Sequence, residues 1–243
     1  MLTTREKERF QRQIIIDELG NEGQLKLKRA RVLIAGAGGL GSPAAIYLAV
    51  AGVGTLGIVD HDTVALSNLN RQILHAEEDI GQPKSDSAHR ELKRLNSATT
   101  VETVTETLTK ANVNRVVTGF DVIIDAMDNL PTRYLLNQAA IAHNVPLMHG
   151  GVDGFEGRAM TILPGRSACL QCMHAGPVPE KTVPVIGVTP AVIGSIQATE
   201  AIKYIAGIGD LLSGRMLVYD GLTLKFKEFK VARNPECQAC GHL

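Results

Sequence analysis

The stretch that most constrains the fold of this chain covers residues 31–62 and reads RVLIAGAGGLGSPAAIYLAVAGVGTLGIVDHD. It predicts a buried strand, a glycine-rich turn, a helix and a second buried strand, which together form a βαβ unit of a parallel sheet. Gly36, Gly38 and Gly41 match the G-x-G-x-x-G fingerprint of dinucleotide-binding folds, and Asp60 follows about 20 residues later. The fingerprint predicts a nucleotide site, but taken alone it leaves open whether the nucleotide is NAD.

The same alternation of strands and helices continues as far as residue 150, which predicts a Rossmann-like, mostly parallel α/β sheet flanked by helices. Beyond that point the pattern changes to strands joined by turns and one long helix, so additional, largely antiparallel strands extend the first sheet or pack against it. We treat residues 1–243 as one domain with halves 1–150 and 151–243. The predicted strands are 31–36, 55–60, 99–106, 120–126, 145–150, 156–165, 214–220 and 223–231, and the predicted helices are 4–16, 21–30, 40–52, 81–96, 112–119, 130–144 and 190–207.

The composition is that of an ordinary globular protein, with 44% hydrophobic and 21% charged residues. A formal net charge of +0 and the absence of tryptophan argue against nucleic-acid binding and against attraction to an anionic membrane. The polar N-terminus has no apolar signal segment, so we expect a cytoplasmic location. The uncharged run 32–59 is interrupted by glycines and Pro43, which favours buried strands and a helix over a membrane span.

Polar side chains follow the predicted strands at the edge of the sheet where open α/β folds bind their ligands. Asp60 and Asp62 follow the second strand, and Asp125, Asp128 and Asn129 follow the fourth. Asp60 is placed to accept hydrogen bonds from ribose hydroxyls, and Asp128 is the candidate Mg²⁺ carboxylate. Each has a plainer alternative, since Asp60 fits a turn and Asp128 fits the N-cap of the next helix. The convergence of three strand ends favours a nucleotide site.

Two cationic side chains, Arg71 and Lys84, favour a nucleotide whose phosphates react. Lys84 lies in the first turn of a predicted helix, where a positive charge opposes the helix macrodipole unless an anion lies nearby. An NAD site binds its pyrophosphate through backbone amides, whereas cleavage of a triphosphate develops charge that Arg, Lys and Mg²⁺ stabilise. The alternative is that both side chains are solvated surface residues.

The cysteines form two C-x-x-C pairs, in the segments CLQCMH and CQACGH. Since no secretion signal precedes them, metal binding is favoured over a disulfide framework, and a redox dithiol is the alternative. Four thiolates suit a tetrahedral, structural Zn²⁺ with no open position, and the metal would tie the C-terminus back to the first pair. We treat His174 and His242, which follow the pairs, as bystanders. The predicted ligands are Cys169, Cys172, Cys237 and Cys240.

The segments GIVDHDTVALSNLNRQILH, DIGQPKS and DAMDN, together with the glycine loop, resemble the ThiF/MoeB/HesA family, the bacterial and archaeal relatives of ubiquitin-activating enzymes. The resemblance covers residues 9–240 and keeps the order of the family's motifs. It implies ATP-dependent adenylation of the C-terminal glycine carboxylate of a small ubiquitin-like sulfur-carrier protein of the MoaD or ThiS kind. Pyrophosphate would be released, and the carrier would be prepared for thiocarboxylate formation. The first half would bind ATP, and the second would bind the carrier and the zinc.

The resemblance also implies roles for individual residues. Gly39 and Gly41 would lie against the phosphates, Asp60 would hold the ribose, and Asp128 would bind Mg²⁺. Arg12 resembles an arginine that one subunit of a homodimer offers to the ATP site of the other, although its plainer interpretation is the polar face of an amphipathic helix. The reaction would depend on Arg12, Arg71, Lys84 and Asp128. Asn68, Arg71 and Lys84 would bind the phosphates. The further residues of the nucleotide site would be Asp62, Ser67, Asn68 and Asn129.

The family often has a further cysteine before the helix 190–207, but Val183 lies near that position and the loop contains no cysteine. We therefore expect the chemistry to stop at the acyl-adenylate. The sulfur would come from a separate donor protein, since the chain ends shortly after the second cysteine pair without an appended sulfurtransferase domain. We expect the carrier to contact the proline-rich loop 177–189 and the strands of the second half. The alternatives are an NAD-dependent oxidoreductase, adenylation of a peptide or another carboxylate, and a non-catalytic, zinc-stapled binding module.

Overall fold

The computed structural model describes residues 1–173 and 183–243, and within these ranges eight strands form one sheet. The strands are β1 (Arg31–Ala35), β2 (Thr55–Val59), β3 (Thr100–Val104), β4 (Val122–Asp125), β5 (Leu147–Asp153), β6 (Glu156–Ile162), β7 (Arg215–Asp220) and β8 (Lys225–Lys230). The strand order is β3-β2-β1-β4-β5-β6-β7-β8; the first five strands in this order pair in parallel, and the pairs from β5 to β8 are antiparallel.

Helices cover both faces of the sheet, because successive residues of the central strands point to opposite sides. The helices are α1 (Thr4–Arg9), α2 (Gln11–Ile14), α3 (Gly20–Arg29), α4 (Gly41–Ala51), α5 (Lys84–Leu95), α6 (Val113–Val117), α7 (Leu130–His143), α8 (Leu170–Met173) and α9 (Val188–Ala206). In β1, Val32 and Ile34 pack with α3, α4, α5 and α9, whereas Leu33 and Ala35 pack with α6, α7 and α8.

The predicted fold class is confirmed, and the structure resolves the alternative left open for the second half. Strands β6 to β8 extend the first sheet, since β6 pairs with β5 along its whole length from Leu147–Ile162 to Asp153–Glu156. Among the described helices, none combines the length and the apolar character that a membrane crossing needs. Residues 174–182 of the predicted proline-rich surface loop lie outside the described residues.

The predicted helix over residues 4–16 is wrong in its continuity, because the chain leaves helical geometry at Phe10. Phe10 has φ −99° and ψ 12°, and its ring is buried against the turn after α4. A Cβ on Gly52 would lie 2.5 Å from that ring, so Gly52 leaves the space that the phenyl group fills. Burial of Phe10 in this space accounts for the break between α1 and α2.

Candidate functional site

The parallel register brings three chain segments together at the carboxyl ends of β2, β1 and β4. Ala35, the last residue of β1, is paired with Val59 in β2 and with Asp125 in β4. The glycine loop that follows Ala35 therefore lies between the segment beginning at Asp60 and the segment 125–129. This edge of an open parallel sheet is where the predicted ligand site is expected.

The glycine loop turns sharply into α4, and its shape requires glycine where two parts of the backbone approach each other. A Cβ on Gly41 would lie 1.8 Å from the carbonyl oxygen of Gly36, a distance no side chain permits. Gly39 lies beneath α9, since a Cβ there would be 3.2 Å from Cγ of Pro190 and 3.5 Å from Cγ of Arg71. Packing against α9 and Arg71 is thus one reason for glycine at position 39.

Asp60 connects β2 to the glycine loop. Its Oδ2 accepts a hydrogen bond from the Ala37 amide at 2.8 Å, and its Oδ1 accepts one from the Asp62 amide at 2.8 Å. Each carboxylate oxygen has a second lone pair, so these contacts leave acceptor capacity for a ligand hydroxyl. The turn interpretation and the ribose interpretation of Asp60 are therefore compatible.

Lys84 is buried at the start of α5, and its ammonium lies 2.8 Å from Oδ2 of Asp62. Burial alone would raise the pKa of the Asp62 carboxyl, but the hydrogen bond and the charge of Lys84 outweigh it and lower that pKa. Asp62 is half exposed and supplies the anion that offsets the unfavourable position of Lys84 on the helix dipole. An ammonium has three donors, and within the described residues Lys84 uses one of them.

Ser67, Asn68 and Arg71 shape the loop between β2 and α5. The guanidinium of Arg71 donates through Nη1 to the carbonyl of Ser67 and to Oδ1 of Asn70, both at 2.9 Å. Oδ1 of Asn68 accepts a hydrogen bond from the Ala65 amide at 3.2 Å. Arg71 also borders Gly39, so this loop adjoins the glycine turn. The rim, as we call it, comprises the glycine turn 36–41, Asp60, Arg71, Lys84 and the segment 125–129.

In the segment after β4, the neighbouring side chains of Asp128 and Asn129 have different roles. Asn129 is the N-cap of α7, because its Oδ1 accepts the Thr132 amide at 2.9 Å. Asp128 is exposed, and within the described residues its only hydrogen bond comes from the Asn129 side chain at 3.3 Å. The cap alternative for Asp128 is therefore excluded, and its carboxylate remains available to a ligand.

Sequence reasoning missed several buried polar groups beneath this rim. His149 in β5 lies 2.7 Å from the carboxylate of Asp125, and Gln197 in α9 donates to the backbone carbonyls of Asp125 and Met148, both at 2.8 Å. A histidine inside an apolar strand was a usable signal for the first pair. His75, whose ring bridges Ala37 and α5, sits in a loop where no periodicity marks it.

Arg12 lies far from the rim of its own chain. The neighbouring Gln13 hydrogen-bonds the carbonyl of Ala51 at the C-terminal end of α4, whereas the glycine loop lies at the N-terminal end. At 1.5 Å per residue the length of α4 separates these ends by about 16 Å. Arg12 is exposed, and within the described residues its side chain takes part in no hydrogen bond or ion pair.

The four cysteines converge although the two pairs are far apart in sequence. All four sulfurs lie within 4.8 Å of one another, with neighbouring sulfurs 3.5–3.9 Å apart. A disulfide needs about 2.05 Å, whereas tetrahedral Zn–S bonds of about 2.3 Å place sulfurs roughly 3.8 Å apart. The donor set and its spacing therefore fit a metal ion. The group comprises Cys169, Cys172, Cys237 and Cys240, three of them buried.

Comparisons with known proteins identify the family of this chain and two relatives that align with nearly its whole length. The ThiF family model matches residues 10–239. The chain is 45% identical to the SAMP-activating enzyme E1 of Haloferax volcanii, covering 96% of this chain and 88% of the relative. It is 42% identical to the sulfur carrier protein adenylyltransferase of Thermus thermophilus, covering 98% and 92%. The enzyme class predicted from the sequence agrees with these names.

A solved structure of E. coli MccB with ATP has the same fold. Its TM-score is 0.89 at 23% identity, and the match covers 98% of this chain and 75% of the MccB chain. At that identity the comparison bears on the fold alone.

Proposed function

The chain belongs to the ThiF family, and we propose that it adenylates the C-terminal glycine carboxylate of a small ubiquitin-like sulfur-carrier protein with ATP. The observation that carries this proposal is the similarity to a SAMP-activating enzyme E1 and to a sulfur carrier protein adenylyltransferase. Each alignment covers nearly all of this chain and most of the relative. The rim at the ends of β1, β2 and β4 supports it, because it combines a glycine turn, carboxylates and two cations.

In the proposed reaction a carboxylate oxygen of the carrier attacks the α-phosphorus of ATP. The bond from that phosphorus to the bridging oxygen breaks, and pyrophosphate leaves with both electrons. A terminal carboxyl is already ionised near neutral pH, so the step needs no general base. Catalysis then consists of positioning and charge stabilisation, with Arg71 and Lys84 on the phosphates, and with Asn68 beside them.

The exposed carboxylate of Asp128 fits the proposed Mg²⁺ ligand, since Asn129 and not Asp128 caps α7. Bound Mg²⁺ would neutralise charge on the phosphate oxygens. Asp60 would hold the ribose through its remaining lone pairs. Asp62 keeps Lys84 in place, and Ser67 holds Arg71 through its carbonyl.

We propose that the metal of the cysteine cluster is Zn²⁺ with a structural role. Four thiolates fill a tetrahedral shell, so no position remains for a substrate or water. The site would join the C-terminal segment to the start of α8. Because these four are all the cysteines of the chain, none is left for a thioester or persulfide. The chemistry would therefore stop at the acyl-adenylate, with sulfur delivered by a separate donor.

We propose a homodimer in which Arg12 enters the ATP site of the partner subunit. The distance along α4 supports this, since Arg12 is displaced from the glycine loop of its own chain. Ile15 and Ile16, which follow Arg12 along the chain, are 65% and 47% exposed, and an interface would bury them.

The test is ATP–pyrophosphate exchange with a panel of small carriers ending in Gly-Gly, each paired with the same carrier shortened by its last glycine. We expect exchange with an intact carrier and none with its shortened form. Thermal shift with ATP–Mg²⁺ and with NAD runs in parallel. Stabilisation by NAD alone would favour the oxidoreductase, and ATP binding without exchange against any carrier would favour a binding module or another carboxylate substrate.

A further inference from the structure

His75 joins the glycine loop to α5 through both nitrogens of its ring. Nε2 lies 2.9 Å from the carbonyl oxygen of Ala37, and Nδ1 lies 2.8 Å from the hydroxyl of Ser87. His75 is 8% exposed, so both contacts are made away from bulk water. Since the Ala37 amide is held by Asp60, both polar backbone groups of Ala37 are fixed by side chains.

The direction of the Ala37 carbonyl sets the direction of the next amide. In a trans peptide the C=O and the following N–H point to opposite sides. Because the Ala37 carbonyl points inward to His75, the Gly38 amide points outward, away from the buried imidazole. Within the described residues this amide has no hydrogen-bond partner, and Gly38 is partly exposed. An outward, unpaired amide at the start of a helix suits a phosphate oxygen.

The hydrogen-bond chain fixes which ring nitrogen of His75 carries the proton. A carbonyl oxygen can only accept, so Nε2 must donate to Ala37. Ser87 has one hydroxyl hydrogen and faces two acceptors, Nδ1 of neutral His75 and Oδ2 of Asp79 at 2.8 Å. If the ring is protonated, it donates to both Ala37 and Ser87, and Ser87 donates to Asp79. If the ring is neutral, the single hydroxyl hydrogen of Ser87 can go to Nδ1 or to Asp79, but not to both. In both states the bond from Nε2 to Ala37 is kept.

The charges around His75 come from three elements. Burial lowers the pKa of His75; the hydrogen bond to Ala37 and the charges of Asp60 and Asp79 oppose this, and Lys84 on α5 adds to the lowering. Asp79 is itself paired with Arg90. The net shift favours the neutral ring near neutral pH, in the tautomer that donates from Nε2.

We propose that His75 is a positioning residue of the nucleotide site, holding the Ala37 carbonyl so that the Gly38 amide is presented to a phosphate. This inference rests on the proposed function only in taking ATP as the nucleotide. Because its side chain is buried, His75 would act through the Ala37 carbonyl and not by contacting the nucleotide itself.

The wild-type protein provides the first test. In ¹⁵N-histidine NMR at pH 7.5, we expect His75 to be the Nε2–H tautomer, assigned by loss of its signals in His75→Gln. An Nδ1–H tautomer would overturn the proposal, because that ring cannot donate to Ala37.

A matched pair of variants provides the second test. The amide nitrogen of Gln lies as many bonds from Cα as Nε2 of His, so His75→Gln keeps the donor to Ala37. The amide nitrogen of Asn corresponds to Nδ1, so His75→Asn keeps the contact with Ser87 and loses the contact with the loop. Calorimetric titration with ATP–Mg²⁺ and with adenosine then separates phosphate binding from general damage.

We expect His75→Asn to weaken ATP binding about five- to tenfold, the effect of one hydrogen bond, while adenosine binding is unchanged and His75→Gln stays within twofold of wild type. Unchanged ATP affinity in His75→Asn, or equal weakening of ATP and adenosine, contradicts the proposal. Should His75→Asn fail to fold, the tautomer decides. If the wild-type protein itself does not bind ATP–Mg²⁺, it is the proposed function that fails.

Discussion

The cysteine cluster and the nucleotide rim are built on opposite principles. The cluster draws all its ligands from this chain, buries three of the four cysteines, and has sulfur spacings that one metal ion fits. The rim leaves Asp128 exposed, Lys84 with one counterion and the Gly38 amide unpaired within the described residues. A complete site contributes to stability, whereas an incomplete one keeps its polar groups available for a ligand.

The largest effect should come from opening the cluster. Cys240→Ser removes one thiolate of the proposed metal site, so we expect the free energy of unfolding to fall by more than about 4 kcal/mol, with loss of the metal that the wild-type protein would bind. Denaturant unfolding and elemental analysis measure both. Gln238→Ser, which changes an exposed residue between the two cysteines, is the control. Wild-type stability in Cys240→Ser would mean that the cluster does not hold the fold together.

Asp128 and Asn129 should separate activity from stability at adjacent positions. Asp128→Asn should lower carrier-dependent ATP–pyrophosphate exchange on the order of a hundredfold or more, because it removes charge from the proposed Mg²⁺ ligand. Its thermal stability should stay near wild type, since the residue caps nothing. Asn129→Ala should cost about 1 kcal/mol in stability through loss of the cap. Normal exchange in Asp128→Asn would remove it from the mechanism.

Lys84→Met should raise the KM for ATP by about 10- to 100-fold, the loss of a charged hydrogen bond in a buried setting. It should also change the acid response of the protein. Because Lys84 lowers the pKa of Asp62 below its ordinary value of 3.8, the pair stabilises the fold above that pH and loses this contribution as the pH falls further. Between pH 2 and 6, the free energy of unfolding should therefore fall less on acidification in Lys84→Met than in the wild-type protein. Identical curves would mean that the pair does not couple to folding.

Mixing two variants should test whether the rim is completed by a second subunit. Arg12→Ala and Lys84→Met should each be impaired alone, but mixed dimers contain one site with neither change. With random exchange of subunits, about a quarter of wild-type exchange activity should return. No recovery after verified subunit exchange would place Arg12 outside the partner's site.

Much of the rim could be predicted, because its residues follow strands that apolar, β-branched runs in the sequence predict. The glycine loop, Asp60, Asp62 and the two cations are predicted from their places in the sequence, and the structure brings them to one edge of the sheet. The choice between Asp128 and Asn129 as the helix cap was not available, because both are good capping residues and only the backbone path after β4 decides. The role of His75 could not be predicted, because a loop has no helix or strand periodicity that would mark one of its residues as buried.

The sequence by itself determined the elements and the two cysteine pairs, since strand and helix periods and C-x-x-C spacing are local properties. Tertiary structure decided how those pieces meet. It brought the sulfur of Cys169 to 3.7 Å from that of Cys237, 68 residues later, broke the first helix at Phe10 and extended the parallel sheet with the antiparallel strand β6. It also turned the Ala37 carbonyl toward His75. These outcomes depend on packing and hydrogen bonds between segments distant in sequence, which no local pattern records.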